Sequence, residues 1–599
     1  MENESKFCRK CPANTLGPWL LVAAFFSQPS LATQPGQFVD VTATSGVYFL
    51  NSSSQAIFTT QGFLNATDAD INLVPRMVAR AEVSTFWDDA GVAAGDYDGD
   101  GLPDLFALGG SGGTARLFRN NGDGKFTNKA AIAGVAISGE MRAGAMFADY
   151  DGDGDLDLFV GGLLGVMPKL YRNNGPDGLG ETTFTDVFSS VFASYSTALS
   201  PNNYVGTMAD YDGDGDLDVF FAHSMSPFGP AAIANPGDST QHLWRNDGAT
   251  FIDVSIPAEI TAIYDGLPSG SLSKDQTFSP NFVDINEDGR PDLLIASDAG
   301  GSRVLRNDGD GTFSDLTVKA QFERQGTNQV VAGMGSAVGD FDNDGHFDWF
   351  VSQIRTALDG NRLYKGKGDA TFTDVVQEAV TFGSIGMESG HWGWGACAAD
   401  LDNDRNLDIV HVNGRYWDGN PFNPPSGLFS NTPAVAFISN GNGTFTNRAA
   451  EIGLDDRGEG LGISCVDYDR DGDVDIAISN FRGSFKLFRN TLSTSAGFVT
   501  VTLTGVGKNP HAIGARVILR STNPADTGPT QLMRQMSIDG NYVSSNLTEA
   551  HFGIGTWQGP FEVEVRWPDG QTSLLGAIAR NTFVNLAEVQ DTAYKNGFE

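Results

Sequence analysis

The chain has 599 residues and carries 38 Lys and Arg against 74 Asp and Glu, a formal net charge of −36. This balance excludes a nucleic-acid-binding protein that works through a basic surface, because phosphate neutralisation needs clustered Lys and Arg. With 40% hydrophobic and 11% aromatic residues the chain has enough apolar material for large cores, and its 74 glycines indicate a turn-rich β architecture.

Residues 1–32 have the features of a secretory signal peptide. A basic start is followed by an apolar run at 16–26 and by small residues up to Ala32, where a signal peptidase would cleave. The run is too short to span a bilayer, and no later stretch approaches about 20 apolar residues, which excludes a polytopic membrane protein. A buried N-terminal helix is the alternative. We predict export, with a secreted, periplasmic or cell-surface location after cleavage near Ala32.

Four cysteines occur in the chain. Cys8 and Cys11 lie in the segment that cleavage would remove, so their C-x-x-C spacing does not indicate a metal or redox site. Cys397 and Cys465 could form one disulfide in an oxidising compartment, or both could stay free.

A nonapeptide with the pattern D-x-[DN]-x-D-G-x-x-D recurs seven times, with Arg405 in place of the glycine in the sixth copy. The copies begin at Asp96, Asp149, Asp210, Asp284, Asp340, Asp400 and Asp467. Successive copies start 53 to 74 residues apart, the period of a four-stranded propeller blade with loop insertions. The repeats therefore predict an all-β fold, a seven-bladed β-propeller with one such loop in each blade.

The pattern predicts a calcium site in each loop. Positions one, three, five and nine supply carboxylate or amide oxygens, position seven supplies a backbone carbonyl, and glycine at position six permits the tight turn. Oxygen ligands without His or Cys select a hard cation, and a flexible site with this many carboxylates suits Ca²⁺ better than Mg²⁺. An EF-hand begins in the same way, but it needs Glu at position twelve, where the first copy has Ala107. We expect up to seven Ca²⁺.

The predicted ligands occupy the same five positions of every loop. In loops one to three they are Asp96, Asp98, Asp100, Leu102 and Asp104, then Asp149, Asp151, Asp153, Asp155 and Asp157, then Asp210, Asp212, Asp214, Asp216 and Asp218. In loops four and five they are Asp284, Asn286, Asp288, Arg290 and Asp292, then Asp340, Asp342, Asp344, His346 and Asp348. In loops six and seven they are Asp400, Asp402, Asp404, Asn406 and Asp408, then Asp467, Asp469, Asp471, Asp473 and Asp475.

Strand-forming segments flank the loops. Small-residue segments such as 91–95 and 335–339 precede them and suit the crowded inner strand near a propeller axis, and apolar β-rich runs such as 105–108 and 293–296 follow them. Position two is apolar or aromatic in every copy, which predicts a side chain that anchors the loop against its own blade. The loops are therefore expected to be hairpin turns.

A second repeated element predicts the outer half of each blade. Residues 117–126, 304–313 and 437–445 each have the pattern of strand, Asn/Asp/Gly turn and strand. The last blade breaks off at 485–490 with no following strand, while 36–40 matches the missing Gly-x-Phe segment. We expect the N-terminal strand to pair into blade seven and close the ring, which hides two strand edges.

An aromatic group and two insertions are further candidates for recognition. His391, Trp392 and Trp394, near two aromatic residues at 416–417, could form a platform for a sugar or a protein, or Trp394 could pack between blades. The insertions at 222–242 and 255–280 are the expected places for partner recognition, because a rigid ring presents its loops for binding.

The C-terminal part, 497–589, has the pattern of a small all-β domain. Its predicted strands are 498–503, 513–520 and 561–567, the last followed by a Pro-Asp-Gly turn and a further strand. Its apolar residues indicate that it docks against the propeller. The propeller then spans 33–496, and 590–599 is a loose tail.

These motifs carry a family resemblance. The seven loops and the Asn-x-Gly-x-Gly-x-Phe turns resemble FG-GAP/VCBS repeats, the calcium-loop blades of the integrin α-subunit propeller. The end of the chain resembles an ASPIC/UnbV domain through GKNPHAIGARV at 507–517, HFGIG at 551–555 and VRWPDG at 565–570. The combination, over about residues 36–589, is similar to the cartilage acidic protein family and its bacterial relatives.

The resemblance implies that the acidic residues of the loops are the calcium ligands. Asn286 departs from the family pattern as a neutral oxygen donor, and Arg405 stands where the pattern has glycine at position six. A non-glycine residue in a left-handed turn costs about 1 kcal/mol, so we expect the sixth site to be the weakest.

Three functions are compatible with the sequence. The first, which it favours, is an exported protein with structural calcium that binds or adheres to an extracellular protein or glycan through its propeller loops and C-terminal domain; a calcium ion that bridges directly to a sugar hydroxyl is the variant. The second is an extracellular enzyme that acts on a polysaccharide or small molecule in a propeller-face pocket, although no nucleophile, base and orienting group and no G-x-S-x-G motif is visible. The third is a purely structural surface component. The sequence therefore predicts no catalytic residues and no cofactor besides calcium, and it leaves the partner and the oligomeric state open.

Overall fold

The computed structural model describes residues 37–51, 90–110, 112–163, 165–197, 202–204, 206–223, 242–248, 250–260, 277–297, 302–317, 333–353, 360–376, 385–387, 392–414, 431–481, 483–493 and 495–588. The predicted signal peptide and tail lie outside these ranges, as do His391, residues 416–417 and most of both predicted recognition insertions. No helix within the described ranges is long and apolar enough to cross a membrane.

Seven sheets in the described part of the chain share one make-up, and each is referred to as a blade. Four antiparallel strands follow one another from the inner to the outer edge, and the acidic loop joins the first strand to the second. Blades I to III consist of β2 (Val92–Gly95), β3 (Asp104–Ala107), β4 (Arg116–Asn120) and β5 (Phe126–Asn128); β6 (Ala145–Ala148), β7 (Asp157–Val160), β8 (Lys169–Pro176) and β9 (Thr182–Asp186); and β10 (Thr207–Ala209), β11 (Asp218–Phe220), β12 (Leu243–Asn246) and β13 (Phe251–Asp253).

Blades IV to VI repeat the pattern with longer inner strands. They consist of β14 (Thr277–Val283), β15 (Asp292–Ser297), β16 (Arg303–Asn307) and β17 (Phe313–Asp315); β18 (Gly333–Gly339), β19 (Asp348–Gln353), β20 (Arg362–Gly366) and β21 (Phe372–Asp374); and β22 (Gly393–Ala399), β23 (Asp408–Asn413), β24 (Val435–Ser439) and β25 (Phe445–Asn447). Blade VII consists of β26 (Glu459–Val466), β27 (Asp475–Phe481), β28 (Lys486–Arg489) and, at its outer edge, β1 (Val39–Asp40).

The blades form a β-propeller, as the sequence predicts. Inner strands of neighbouring blades contact each other from β14 through β18 and β22 to β26, and from β26 through β2 to β6. Apolar side chains are buried between neighbouring blades, such as Phe106 of blade I with Phe147 of blade II. The inner strands are rich in glycine and alanine because they crowd around the axis.

The N-terminal strand completes blade VII. β1 pairs antiparallel with β28, with Val39 opposite Arg489 and Asp40 opposite Phe488. The ammonium of Lys486 lies 2.6 Å from the Asp40 carboxylate. This is the pairing that the sequence predicts for the N-terminal segment, and it covers the edge of β28.

Within the described ranges, three single-turn helices each follow the outermost strand of a blade. They are α1 (Thr42–Ser45) after β1, α2 (Ala130–Ala133) after β5 and α3 (Phe188–Val191) after β9. Each buries two of its residues, so the turn leads the chain over the edge of the blade toward the next inner strand.

Cys397 and Cys465 are bonded to each other in this structure. Cys397 lies in β22 and Cys465 in β26, so the disulfide joins the inner strands of blades VI and VII. Both residues are buried. The sequence left this pairing open.

Two further sheets form the C-terminal domain. One contains β33 (Ala550–Gly555), β29 (Gly497–Thr504) and β36 (Thr582–Ala587), and the other contains β31 (Leu532–Gln535), β30 (Arg516–Ser521), β34 (Phe561–Arg566) and β35 (Thr572–Ile578). Val501, Phe552 and Val563 belong to the apolar cluster between the sheets. The three predicted strands are present, with boundaries shifted by up to three residues.

A segment of the C-terminal domain, residues 536–547, enters the centre of the propeller, and we refer to it as the plug. Its strand β32 (Ser544–Ser545) pairs parallel with β2 of blade I. The Thr207 hydroxyl of blade III donates to the Ile538 carbonyl at 2.7 Å, and the Asn541 amide donates to the carbonyl of Ile463 in blade VII at 2.9 Å. The plug therefore contacts inner strands on several sides of the axis.

Tyr542 occupies the middle of the plug. Its side chain is fully buried, and its ring centroid lies 5.8 Å from that of Tyr204, 5.5 Å from Phe278 and 5.3 Å from Trp394. These rings come from the segments that enter blades III, IV and VI. The sequence predicts docking of the C-terminal domain but does not predict insertion.

Candidate metal centres

The acidic loops wrap around the carboxylate at position one. In loop one, Asp96 accepts hydrogen bonds from the backbone N–H of Asp100 at 3.1 Å and of Gly101 at 2.8 Å. Asp100 at position five accepts one from the backbone N–H of Leu102 at 3.0 Å. The same contacts recur in the other loops, for example at Asp467 in loop seven. These hydrogen bonds between the acidic side chains and the backbone hold the turn in its shape independently of a cation.

The carboxylate at position nine ties the loop to the rest of the blade. Asp104 accepts one hydrogen bond from the backbone N–H of Tyr97 at 3.2 Å and another from that of Asn120, at the end of β4, at 2.7 Å. Equivalent pairs of bonds hold the position-nine residue of each other loop. An ion at this carboxylate would therefore lie where three strands of the blade meet.

Positions four and six both adopt the left-handed backbone conformation. At position six this holds for the six glycines and for Arg405, whose φ is +88°. At position four it holds for Gly99, Gly152, Gly213, Glu287, Asn343, Asn403 and Arg470. The sequence pattern identified the constraint at position six and missed the one at position four.

The loop carboxylates converge closely enough to share an ion. In loops one to three, oxygens of positions one, three and nine lie within 4.8 Å of one another, and in loops five and six the same holds for positions one, three and five. In loop four, Asn286 donates to Asp288 at 2.8 Å, so its amide turns toward position five. The convergent groups are all oxygens, which suit a hard cation.

Unpartnered oxygens at position three fit a bound cation. One carboxylate oxygen each of Asp98, Asp151, Asp402 and Asp469 is buried and has no hydrogen-bond partner among the described residues. A buried acceptor without a partner is costly and needs an explanation. A calcium ion at the centre of the loop would coordinate these oxygens and supply the missing interaction.

Burial changes the protonation of the loop carboxyls. It raises the pKa of Asp104, Asp157 and Asp218 at position nine to about 9, while the backbone N–H groups they accept oppose that rise. Burial likewise raises the pKa of Asp149 and Asp210 at position one to about 6. Cation binding to these loops would therefore displace protons at neutral pH.

Basic side chains from the third strand of a blade lie against the loop. Arg119 pairs with Asp98 and, at 2.6 Å, with Asp100. Arg489 lies 2.6 Å from Asp469 in the same manner. These cations reduce the repulsion among the acidic groups. Arg119 belongs to the repeated element at 117–126, which the sequence explained only as a strand, a turn and a strand, and Arg489 belongs to the unfinished copy at 485–490.

The asparagine of the same element joins neighbouring blades. The Asn173 amide donates to the carbonyl of Tyr97, at position two of loop one, at 2.8 Å, and the Asn246 amide donates to that of Tyr150 in loop two at 2.8 Å. Equivalent bonds are made by Asn120, Asn307 and Asn490. Each such residue fastens its own third strand to the loop of another blade, so the loops form part of the joint between blades.

Position-four side chains link consecutive loops in the second half of the ring. Glu287 of loop four lies 2.8 Å from the ring of His346 in loop five. Asn343 donates to the carbonyl of Arg405 in loop six at 3.3 Å, and Asn403 donates to the carbonyl of Gly472 in loop seven at 2.9 Å. Loops one to three have glycine at this position and cannot make such links.

The C-terminal domain rests on the loop side of the propeller. Lys508 lies 2.7 Å from Asp216 of loop three, and Arg516 donates to the carbonyl of Asp284 in loop four at 3.1 Å. From the propeller side, Arg470 of loop seven pairs with Glu549 at 2.6 Å. The domain carries six Lys and Arg against seven Asp and Glu between residues 497 and 588, so its charge is close to balanced where it meets the acidic loops.

Arg405 also contributes to this interface. Its guanidinium donates to the carbonyl of Thr527 at 2.7 Å and lies 5.1 Å from the ring of Trp557. Arg405 therefore has a strained backbone at position six, and its side chain makes contacts with the C-terminal domain that glycine could not make.

Trp392 and Trp394 pack inside the protein. Trp394 is fully buried, Trp392 is 8% exposed, and their rings stack 5.9 Å apart. Of the two hypotheses, packing between blades is the one that these described residues support.

Two family models match parts of the chain. FG-GAP-like repeats match residues 96–160, 284–351 and 340–411, and the family described as ASPIC and UnbV matches residues 505–593.

Curated relatives match 43% to 72% of the chain. Cartilage acidic protein 1 of Mus musculus is 24% identical over 490 residues, which cover 72% of this chain and 71% of that protein. T-cell immunomodulatory protein of Rattus norvegicus is 24% identical over 265 residues, covering 43% of this chain and 36% of that protein. Among solved structures, BBS1N in complex with ARL6DN matches with a TM-score of 0.35 and 8% identity, covering 67% of this chain and 92% of that one.

Proposed function

From a chain that combines FG-GAP-like repeats with an ASPIC and UnbV domain and is homologous to cartilage acidic protein 1, we infer an exported, seven-bladed, calcium-loaded β-propeller that binds an extracellular protein or glycan. In this proposal residues 1–32 are a signal peptide, 33–496 the propeller, 497–589 the C-terminal domain and 590–599 a tail. Calcium is structural, and the protein is not an enzyme.

The unpartnered position-three oxygens are the observation that supports calcium binding most directly. Asp98 and Asp469 each bury one such oxygen, and in loop one the Asp98 carboxylate lies close to those of positions one and nine. Four carboxylates around one ion leave a net negative site, which basic neighbours such as Arg119 partly balance. Because each position-nine carboxylate also holds two strands, loss of the ion would loosen the blade rather than disable a reaction.

The position of the C-terminal domain supports a binding surface on the opposite side of the ring. The domain contacts loops on the side where the first and second strands join. The second and third strands join at the other edge, because successive antiparallel strands reverse direction. His223 and His242, the described residues on either side of the insertion between β11 and β12, lie at that edge. Neither relative's name denotes an enzyme, which supports recognition over catalysis.

Calcium binding is tested by calorimetry and thermal melting of the purified protein after chelation. A ligand that binds only the folded state stabilises it by about 2.7 kcal/mol per site at a hundredfold excess over Kd, so calcium should raise the melting temperature strongly. Asp98→Ala should remove one site from the titration. Asp123→Ala is the matched control, because Asp123 is a half-exposed residue of the adjacent turn. Equal stoichiometry in the two variants would contradict the assignment.

Partner binding is tested by capture from a glycan panel and from extracellular extracts, first in calcium and then in chelator. Capture of a defined partner by the calcium-loaded protein supports the proposal. A well-folded, calcium-loaded protein that captures nothing and turns over a substrate would replace it with the enzymatic alternative.

A further inference from the structure

The spaces between neighbouring loops are filled in most of the C-terminal-domain interface. Between loops five and six the space holds the side chain of Asn343, and between loops six and seven that of Asn403. Between loops two and three it holds Lys508, whose Cα lies 2.7 Å from where a Cβ on Gly152 would be and whose ammonium pairs with Asp216. Each of these three side chains is a hydrogen-bond donor directed at position six or seven of the following loop, whereas Glu287, between loops four and five, presents a carboxylate to His346.

Among the described residues, none fills the space between loops three and four in this way. Position four of loop three is Gly213, and no heavy atom of the described part of the chain lies within 4 Å of where its Cβ would be. The C-terminal domain covers this space through Arg516, Arg566 and the turn at 567–570, and a cavity of about 350 Å³ remains. Small-molecule pockets of proteins begin near this size.

The filled spaces show which chemical group fits between two loops. Asn403 donates through its amide nitrogen to the carbonyl of Gly472 at 2.9 Å and to the Asp473 carboxylate at 2.9 Å. Its amide oxygen lies 2.8 Å from Nε2 of His551, a residue of the C-terminal domain. A primary carboxamide therefore uses its donor on the loop and its acceptor on the domain above.

The space between loops three and four offers the same two kinds of partner, a residue at position six of a loop and a hydrogen-bonding group of the C-terminal domain. Gly289, at position six of loop four, lines the cavity where Gly472 lines the filled space, and Arg566 lines it from the C-terminal domain. Arg566 is 48% exposed and offers guanidinium donors to an amide oxygen. Glu287 and Arg516, whose charged groups lie 3.7 Å apart, also line the cavity, so a mixed lining of both signs disfavours a group with a net charge.

We propose that this cavity is a binding site for a primary carboxamide, as carried by an asparagine or glutamine side chain of a peptide partner. The amide nitrogen donates to the carbonyl of Gly289, and the amide oxygen accepts from Arg566. Ile513 and Pro568 in the lining provide an apolar surface for the methylene groups of the side chain. This site would specify what the proposed binding function recognises. It rests on that function in one respect, because loops three and four must have the conformation that they adopt with calcium bound.

The first variant places a side-chain carboxamide of the protein itself in the cavity. Gly213→Asn places at position four the residue found in loops five and six, where Asn343 and Asn403 already adopt a positive φ. Gly99→Asn is the matched control, because Gly99 holds the same position in loop one, has no heavy atom near its Cβ site and does not line the cavity. Arg566→Met is the second variant, since loss of a half-exposed guanidinium leaves the fold intact.

The probe is N-acetyl-asparagine N-methylamide, whose side chain is its one primary amide, with the aspartate analogue as the charged comparison. Calorimetry at saturating calcium should show that the probe binds the native protein and Gly99→Asn alike. Binding should be at least about tenfold weaker for Gly213→Asn, for Arg566→Met and for the aspartate analogue.

Equal affinity for all variants, equal affinity for the aspartate analogue, or no binding to a calcium-loaded native protein would overturn the proposal. Calcium stoichiometry is measured on the same samples. A protein that takes up calcium but not the probe refutes the carboxamide site alone, whereas one that takes up no calcium refutes the proposed function.

Discussion

Replacement of Tyr542 tests how strongly the plug holds the propeller together. The side chain is fully buried and contacts three aromatic rings from different blades. Truncation of a buried large aromatic side chain costs about 3–5 kcal/mol, so Tyr542→Ala should lower the free energy of unfolding by that amount. The backbone φ of +88° strains alanine as much as tyrosine, and Tyr542→Gly should therefore be about 1 kcal/mol less destabilising than alanine.

The assay is urea unfolding at saturating calcium, followed by tryptophan fluorescence, because Trp394 contacts the substituted ring. Proteolysis under native conditions should in parallel release the C-terminal domain sooner. Tyr542→Phe keeps the ring and is the control, with an expected loss below about 1.5 kcal/mol. An alanine variant that unfolds at the same urea concentration as the native protein would refute the reasoning that the plug bears on propeller stability.

Two further predictions concern the joints between blades, and a third concerns the protonation of the loop carboxyls. Replacement of Cys397 and Cys465 by serine should lower the free energy of unfolding by about 2–4 kcal/mol, since the bond closes a loop of 68 residues; identical melting with and without a reductant would contradict this. Asn173→Ala removes the donors to Tyr97 and should cost about 2 kcal/mol, whereas its exposed neighbour in Asn174→Ala should stay within about 0.5 kcal/mol in the same urea assay. In chelator, the stability should fall as pH rises from about 4 to about 9, because raised carboxyl pKa values such as that of Asp104 let the folded state bind more protons than the unfolded state; a melting temperature that climbs over this range would exclude it.

The propeller and its closure could be predicted because their signals are local and repeated. Acidic residues at every second position mark each loop, and the unfinished last blade leaves a strand for residues 36–40 to supply. The predicted closure corresponds to the observed pairing of Val39 with Arg489. The predicted strands of the C-terminal domain are also present, and those at 498–503 and 561–567 carry the alternation of apolar and polar residues that marks a strand.

Much of the candidate site could not be predicted, because it depends on partners that are distant in sequence. In the sequence Asn173 has the pattern of a turn residue, yet its amide donates a hydrogen bond to a carbonyl 76 residues away. Position four varies among Gly, Glu, Asn and Arg, so composition alone hides the shared left-handed backbone. The plug lacks the alternation of a strand, since inner strands surround it on several sides and Tyr542 meets rings from different blades.

The outer strand of blade VII has a consequence for biosynthesis. Lys486 and Asp40, which pair across that sheet, are separated by 446 residues, so the first strand to leave the ribosome must wait for nearly the last strand of the ring. At about 5–20 residues per second, synthesis of the intervening chain takes on the order of half a minute or more. During that time each growing intermediate exposes strand edges that could pair with another chain. A chaperone that shields these edges until residue 489 has emerged would therefore raise the yield of folded protein.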